Sequence, residues 1–286
     1  MKQIEIKARG LSFEAWADGA EDAPLLILLH GLPRGKWEWH HQVPKLAAAG
    51  FRVIAPDLRG YCPGARPEGV ESYRVNEYAQ DILAMADKLG WADRPFHLMG
   101  TSIGAVIAWR IAGENPQRIL TLACINIPHP GTFAEIAETQ VAEEQKEKFN
   151  YINYSKKPGN EPKMFKATIK HMGLPEEETA PYVEAHSSDE ALRAVYHYYR
   201  ANVPGVDISS PSRLQSLSPV VMPTLYIWPP DAANVSRETA EATAKYVEGP
   251  YRFEVLEGAQ NFALQKQPEI ITQMLLEHLA EHARVG

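Results

Sequence analysis

Short apolar runs alternate with longer amphipathic stretches along this chain. Leu25–Leu29 is an unbroken apolar run between Pro24 and His30, which predicts a strand buried on both faces. Trp39–Ala49 has helical spacing and ends at Gly50, a C-cap residue. A second strand, Phe51–Ala55, stops at Pro56-Asp57. Asn76–Leu89 places Tyr78, Ile82, Met85, Ala86 and Leu89 on one helical face, and Gly90 ends it. A strand at Phe96–Met99, a helix at Ile103–Gly113 and a strand at Ile119–Ile127 follow. From about Gly131 to Ser218 the chain is helical in period, charged and rich in tyrosine, with no strand pattern. Strands resume at Thr224–Trp228 and Arg252–Leu256, and Glu269–Ala283 is a final helix. Strand and helix alternating over short connections predict an α/β fold with a mostly parallel sheet flanked by helices. The predicted domains are a core of residues 1–130 and 219–286 and a helical cap of residues 131–218.

Composition narrows the functional classes. The 286 residues carry 29 Lys+Arg against 36 Asp+Glu, a formal net charge of −7. An acidic chain without a basic cluster argues against nucleic acid or an anionic membrane as partner. Cys62 and Cys124 are too few for a disulfide framework or a Cys-based metal site. Met1–Gly10 is polar and is not a signal peptide, and no apolar run reaches the roughly 18 residues of a membrane span. The expectation is a cytoplasmic monomer or homodimer. No phosphate loop, dinucleotide fingerprint or metal-ligand spacing is present, so no cofactor and no metal is expected.

Gly100-Thr101-Ser102-Ile103-Gly104 fits G-x-S-x-G between a strand and a helix. A sharp turn there exposes the serine hydroxyl, and its small neighbours let backbones pass closely. The start of the following helix offers the Ile103 N–H to a developing oxyanion. The loop His30-Gly31-Leu32-Pro33 follows the first buried strand, so the Leu32 N–H is the second donor.

These segments, with Trp39, Phe51–Tyr61, Asn126-Ile127-Pro128-His129-Pro130, Thr224–Trp228 and Gly249–Leu256, together resemble the epoxide-hydrolase-like branch of the α/β-hydrolase family. The resemblance implies an α/β-hydrolase fold with a helical cap and an apolar small-molecule substrate. It also implies an elbow Asp that attacks the substrate, and a His after the last strand, held by an Asp, that activates water. Two cap tyrosines polarise the epoxide oxygen. Carried over residue by residue, the elbow position is Ser102 and the His position is Asn261. The acid position is Ala232 in an ungapped register, or Asp231 with a one-residue gap. The tyrosine positions are Tyr151 and Tyr199. An amide cannot take a proton near neutral pH, so the relay is degenerate.

Serine without a base is a weak nucleophile. His197, beside Tyr199, is the candidate replacement base; His129 reads as a structural loop residue, and His278 and His282 as solvated. Three functions follow. The first is a non-hydrolytic cyclase or isomerase in which Tyr151 and Tyr199 activate an epoxide or carbonyl. The second is a serine hydrolase using Ser102 with a displaced base and Asp231. The third is a ligand-binding protein without chemistry.

Overall fold

The computed structural model describes residues 1–136, 147, 150–203, 217–231, 235–259 and 262–282. Strands β1 (Lys2–Ala8), β2 (Leu11–Asp18), β3 (Leu25–Leu29), β4 (Arg52–Pro56), β5 (Phe96–Thr101), β6 (Ile119–Ile125), β7 (Thr224–Trp228) and β8 (Tyr251–Val255) form one sheet. Their order is β1-β2-β4-β3-β5-β6-β7-β8. β1, β2 and β4 pair antiparallel, and every pair from β4 through β8 is parallel.

Helices α1 (Gln42–Ala48), α2 (Val75–Ala86) and α3 (Ile103–Glu114) connect the early strands. Between β6 and β7 lie α4 (Gly131–Ile136), α5 (Asn150–Ser155), α6 (Glu161–Met172), α7 (Glu176–Ala185) and α8 (Asp189–Asn202). Then come α9 (Arg237–Glu241), α10 (Ala263–Lys266) and α11 (Pro268–His282).

The unbroken apolar run of β3 has a simple cause. Side chains alternate along a strand, and both faces of β3 are covered. Leu25, Ile27 and Leu29 pack with Ile82 of α2 and Ile107 of α3. Leu26 and Leu28 pack in a second cluster with Leu46 of α1 and Ile271, Leu275 and Leu279 of α11. Tyr182, Val195, Tyr196 and Tyr199 join the first cluster, so the inserted helices α7 and α8 extend the core on the α2–α3 side.

Two features differ from the sequence reading. The polar Met1–Gly10 stretch, for which no element was expected, holds β1 and the turn of the hairpin β1–β2, with φ of 49° and 77° at Arg9 and Gly10. The signal was an alternation of period two: Ile6 and Ala8 are buried while Glu5 and Lys7 are exposed. His278, taken as solvated, is 1% exposed. It sits on the inner face of α11, and burial pushes its pKa down to about 3. Among the described residues no helix is long and apolar enough to cross a membrane.

Candidate active site

The turn after β5 is built as G-x-S-x-G requires. Ser102 has φ 54° and ψ −122°, a conformation that costs a non-glycine residue about 1–3 kcal/mol and persists only where the surroundings enforce it. They do so by contact. A Cβ on Gly100 would lie 2.3 Å from the Gly104 carbonyl oxygen, and one on Gly104 would lie 2.3 Å from that of Leu29. The Ser102 N–H is tied to the Ile125 carbonyl at 3.2 Å. Ile103 then opens α3, leaving its N–H at the helix start.

The loop after β3 faces this turn. His30 is fully buried, and its Nε2 accepts the Leu58 N–H at 2.9 Å. Nδ1 therefore carries the proton, which it donates to the Gly31 carbonyl at 3.0 Å. Burial holds the ring's pKa down to about 3, so His30 is a neutral strut and not a base. Leu32 is partly buried and packs on the core. Trp39 is fully buried in the α1-side cluster, where its role is packing.

Arg34 and Glu38 form a buried ion pair that the sequence reading missed. Arg34 Nε lies 2.8 Å from Glu38 Oε1, with side chains 4% and 1% exposed. Glu38 Oε2 accepts the Gly31 N–H at 2.6 Å. Burial pushes the Glu38 carboxyl up, against the pull of Arg34 and the Gly31 amide. A Cβ on Gly31 would fall 1.8 Å from Arg34 Nη2 and 2.8 Å from Ser102 Cβ. The guanidinium and the serine thus meet over this glycine. In sequence the pair is an i,i+4 match, a spacing that ordinarily marks a solvated helix face.

The candidate tyrosines come together. The rings of Tyr151 (α5) and Tyr199 (α8) meet edge to face with centroids 6.2 Å apart. Tyr151 exposes 36% of its surface and Tyr199 8%, yet burial of both hydroxyl ends raises both pKa values. Each hydroxyl acts on the other: Tyr199 draws the pKa of Tyr151 down, and Tyr151 pushes that of Tyr199 further up. The positive charge of Arg34 also acts on Tyr151, lowering its pKa. Arg34 is therefore a neighbour of Ser102 on the sheet side and of Tyr151 on the inserted helices.

The remaining candidates stand apart. His197 lies against Tyr73, ring centroids 5.1 Å apart, and its Nδ1 is 3.2 Å from Arg200 Nη1. Those contacts do not bring it to Ser102. Asp231 is exposed, and its Oδ2 accepts the Gly258 N–H at 2.6 Å, linking the loops after β7 and β8. Asn261 and Ala232 lie outside the described residues. His129 is buried between Trp109 and Tyr246 and accepts the Gly131 N–H, a structural role. Among the described residues no imidazole or carboxylate hydrogen-bonds to the Ser102 hydroxyl. Gln265 is a further residue missed: it donates to the Tyr182 hydroxyl at 2.8 Å and to the Glu38 carbonyl at 3.3 Å, tying α10 to α7 and to the Arg34–Glu38 turn.

A mostly parallel sheet of this order, with a strained serine at the turn after β5 and helices inserted after β6, defines the class of α/β hydrolases. A family model for the alpha/beta hydrolase fold matches residues 24–158. The chain is 30% identical to the AB hydrolase superfamily protein YfhM of Bacillus subtilis (strain 168), over 96% of each chain. It is 31% identical to epoxide hydrolase 4 of Mus musculus, over 98% of this chain and 80% of that one. A solved structure described as belonging to novel epoxide hydrolases in metagenomes from hot environments superposes with a TM-score of 0.84 at 26% identity, covering 99% of each chain. The chain belongs to the α/β-hydrolase family, in its epoxide-hydrolase-like branch.

Proposed function

We propose that this protein is an enzyme acting on an apolar small molecule by non-hydrolytic chemistry of the cyclase or isomerase type. In this reading Tyr151 and Tyr199 activate an epoxide or carbonyl oxygen. The observation that carries it is the meeting of the Tyr151 and Tyr199 phenols beside Arg34. In this scheme Tyr199 donates to Tyr151, and Tyr151 turns its own O–H to a substrate oxygen. As that oxygen gains charge and draws the proton away, Tyr199 and Arg34 stabilise the charge left on Tyr151. General acid help of this kind contributes about 10²–10⁴-fold. Ser102, lacking a base within reach among the described residues, leaves a nucleophile of the substrate's own to attack the activated carbon: the epoxide C–O bond breaks as the new bond forms, the epoxide oxygen keeps the Tyr151 proton, and the nucleophile's proton returns to the Tyr151 phenolate. Held close, that group reacts at a high effective concentration. The epoxide class is suggested by the names of the relatives. Residues 131–218 serve as the cap in this scheme.

The test is product analysis in ¹⁸O-labelled water, using apolar epoxides that carry an internal hydroxyl. A cyclised product without ¹⁸O is expected, with Tyr151→Phe and Tyr199→Phe each slowing it by roughly 10²-fold or more. A diol carrying ¹⁸O would overturn the reading. The strained Ser102 at the start of α3 favours a second one, a serine hydrolase. Labelling of Ser102 by a fluorophosphonate together with rapid ester turnover would establish it. Tight ligand binding without any product would instead mark a binding protein.

A further inference from the structure

A second cluster of chemistry lies away from Ser102, where the corner before α1 meets the inserted helix α7. His40 follows the single turn Lys36–Trp39, and its ring stacks on Trp37 with centroids 4.1 Å apart and planes 4° apart. Its Nδ1 is 2.8 Å from the Trp37 carbonyl oxygen. A carbonyl only accepts, so Nδ1 carries the proton and Nε2 of the neutral ring is a bare lone pair. That lone pair faces Glu178 Oε2 at 3.3 Å. Glu178 Oε2 is itself buried and takes no hydrogen bond. His41 completes the group, with its ring 3.8 Å from that of His40 and its Nε2 3.2 Å from Glu178 Oε1.

Two acceptors aimed at each other need something positive between them. One solution is a proton, which would make His40 an imidazolium. The other is a cation. All three ligand atoms lie within 4.8 Å of one another, the sole such group among the described residues. A tetrahedral zinc ion with ligands at about 2.0–2.1 Å sets neighbouring ligand atoms roughly 3.3 Å apart, close to the 3.3 Å between His40 Nε2 and Glu178 Oε2, while His41 Nε2 lies 3.2 Å from the other oxygen, Oε1. The Trp37 carbonyl supplies the outer hydrogen bond that fixes the tautomer and plane of a metal-bound histidine.

We propose that His40, His41 and Glu178 bind one divalent transition-metal ion of the zinc type. Two imidazoles and a carboxylate suit such an ion, and they leave a fourth position for water. The ligands come from both sides of a boundary: the histidines from the core turn next to Arg34 and Glu38, the glutamate from the first turn of α7. Bound metal therefore clamps the inserted helices to the sheet domain and stiffens the approach to Ser102. The sequence hid this site because Glu178 is remote from His40 in the chain.

The experiment starts from full-length protein stripped with a chelator and titrated with zinc chloride, read by calorimetry and by thermal melting. One site per chain of micromolar affinity or tighter is expected, with a rise in Tm. Glu178→Gln and His41→Asn should each weaken binding at least tenfold and remove the rise. Cobalt(II) replaces zinc in a readout independent of any variant, and a four-coordinate site gives it intense visible absorption. Absence of binding, or binding that both variants leave unchanged, overturns the proposal, because surface imidazoles such as His171 would then hold the metal. An octahedral cobalt spectrum overturns it as well. So does a wild-type Tm that zinc does not move but Glu178→Gln lowers, which would make the trio a simple imidazolium–carboxylate contact.

Discussion

At the scale of single residues, the most consequential contact is one that local sequence rules misread. Ser102 was legible because the glycines its turn requires, Gly100 and Gly104, sit beside it in the chain, although Leu29, against which Gly104 packs, and Ile125, which ties the Ser102 N–H, do not. Tyr151 and Tyr199 were legible only through the family resemblance. Arg34 and Glu38 were not legible at all, since an Arg and a Glu one helical turn apart usually face water. Here β3 delivers them to the interior, where the Gly31 amide, the Ser102 turn and the Phe262 ring surround them. A buried pair of this kind contributes little net stability, but breaking it strands a charge. Arg34→Met and Glu38→Met should each lower stability by about 3–5 kcal/mol, and the double variant by much less than the sum. Urea unfolding of the four proteins checks this, and additive losses would show that the two side chains are not coupled.

At the scale of elements, strands buried on both faces and helices ended by glycine were readable, because packing and local propensity agree there. Thr224–Trp228 is β7 with the bounds that its apolar run predicts. The β1–β2 hairpin escaped, since half of each strand faces solvent and the composition reads as polar. Beside the pairing of β2 with β4, the hairpin is held by Asp81 of α2, which takes Arg9 from the hairpin turn at 2.8 Å and both prongs of Arg59 at 2.7 Å. Asp81 is 1% exposed. Among the described residues, Asp81→Ala would leave Arg9 and the buried Arg59 with Glu77 alone between them, at a cost of about 3–5 kcal/mol. Hydrogen exchange should then quicken in β1 before β5. Uniform quickening across the sheet would mean that the hairpin does not depend on this anchor.

At the scale of the whole molecule, buried histidines set the response to acid. His30 and His278 are held to about 3, and His97 and His129 to about 4, in each case chiefly by burial. In the unfolded chain they titrate near 6.5. The unfolded state therefore binds more protons as pH falls below 6.5, and each group withdraws up to about 1.4 kcal/mol per pH unit down to its folded value. Stability is complete above pH 6.5 and should fall steeply from there toward pH 4. Denaturant midpoints measured at pH 7 and pH 5 test this, and equal midpoints would contradict it. The sheet order has a separate consequence, for the time course of folding. Leu122 of β6 and Thr224 of β7 are paired neighbours, yet all the inserted helices lie between them in the chain. Their pairing must close a long loop whose entropy cost comes before any reward. The section from β1 to β6 can assemble while the insert is still unpaired, and docking of β7 and β8 is then the slow step. Until it occurs, the flank of β6 is an open edge that another chain can occupy, so the window for aggregation is set by how quickly β7 arrives.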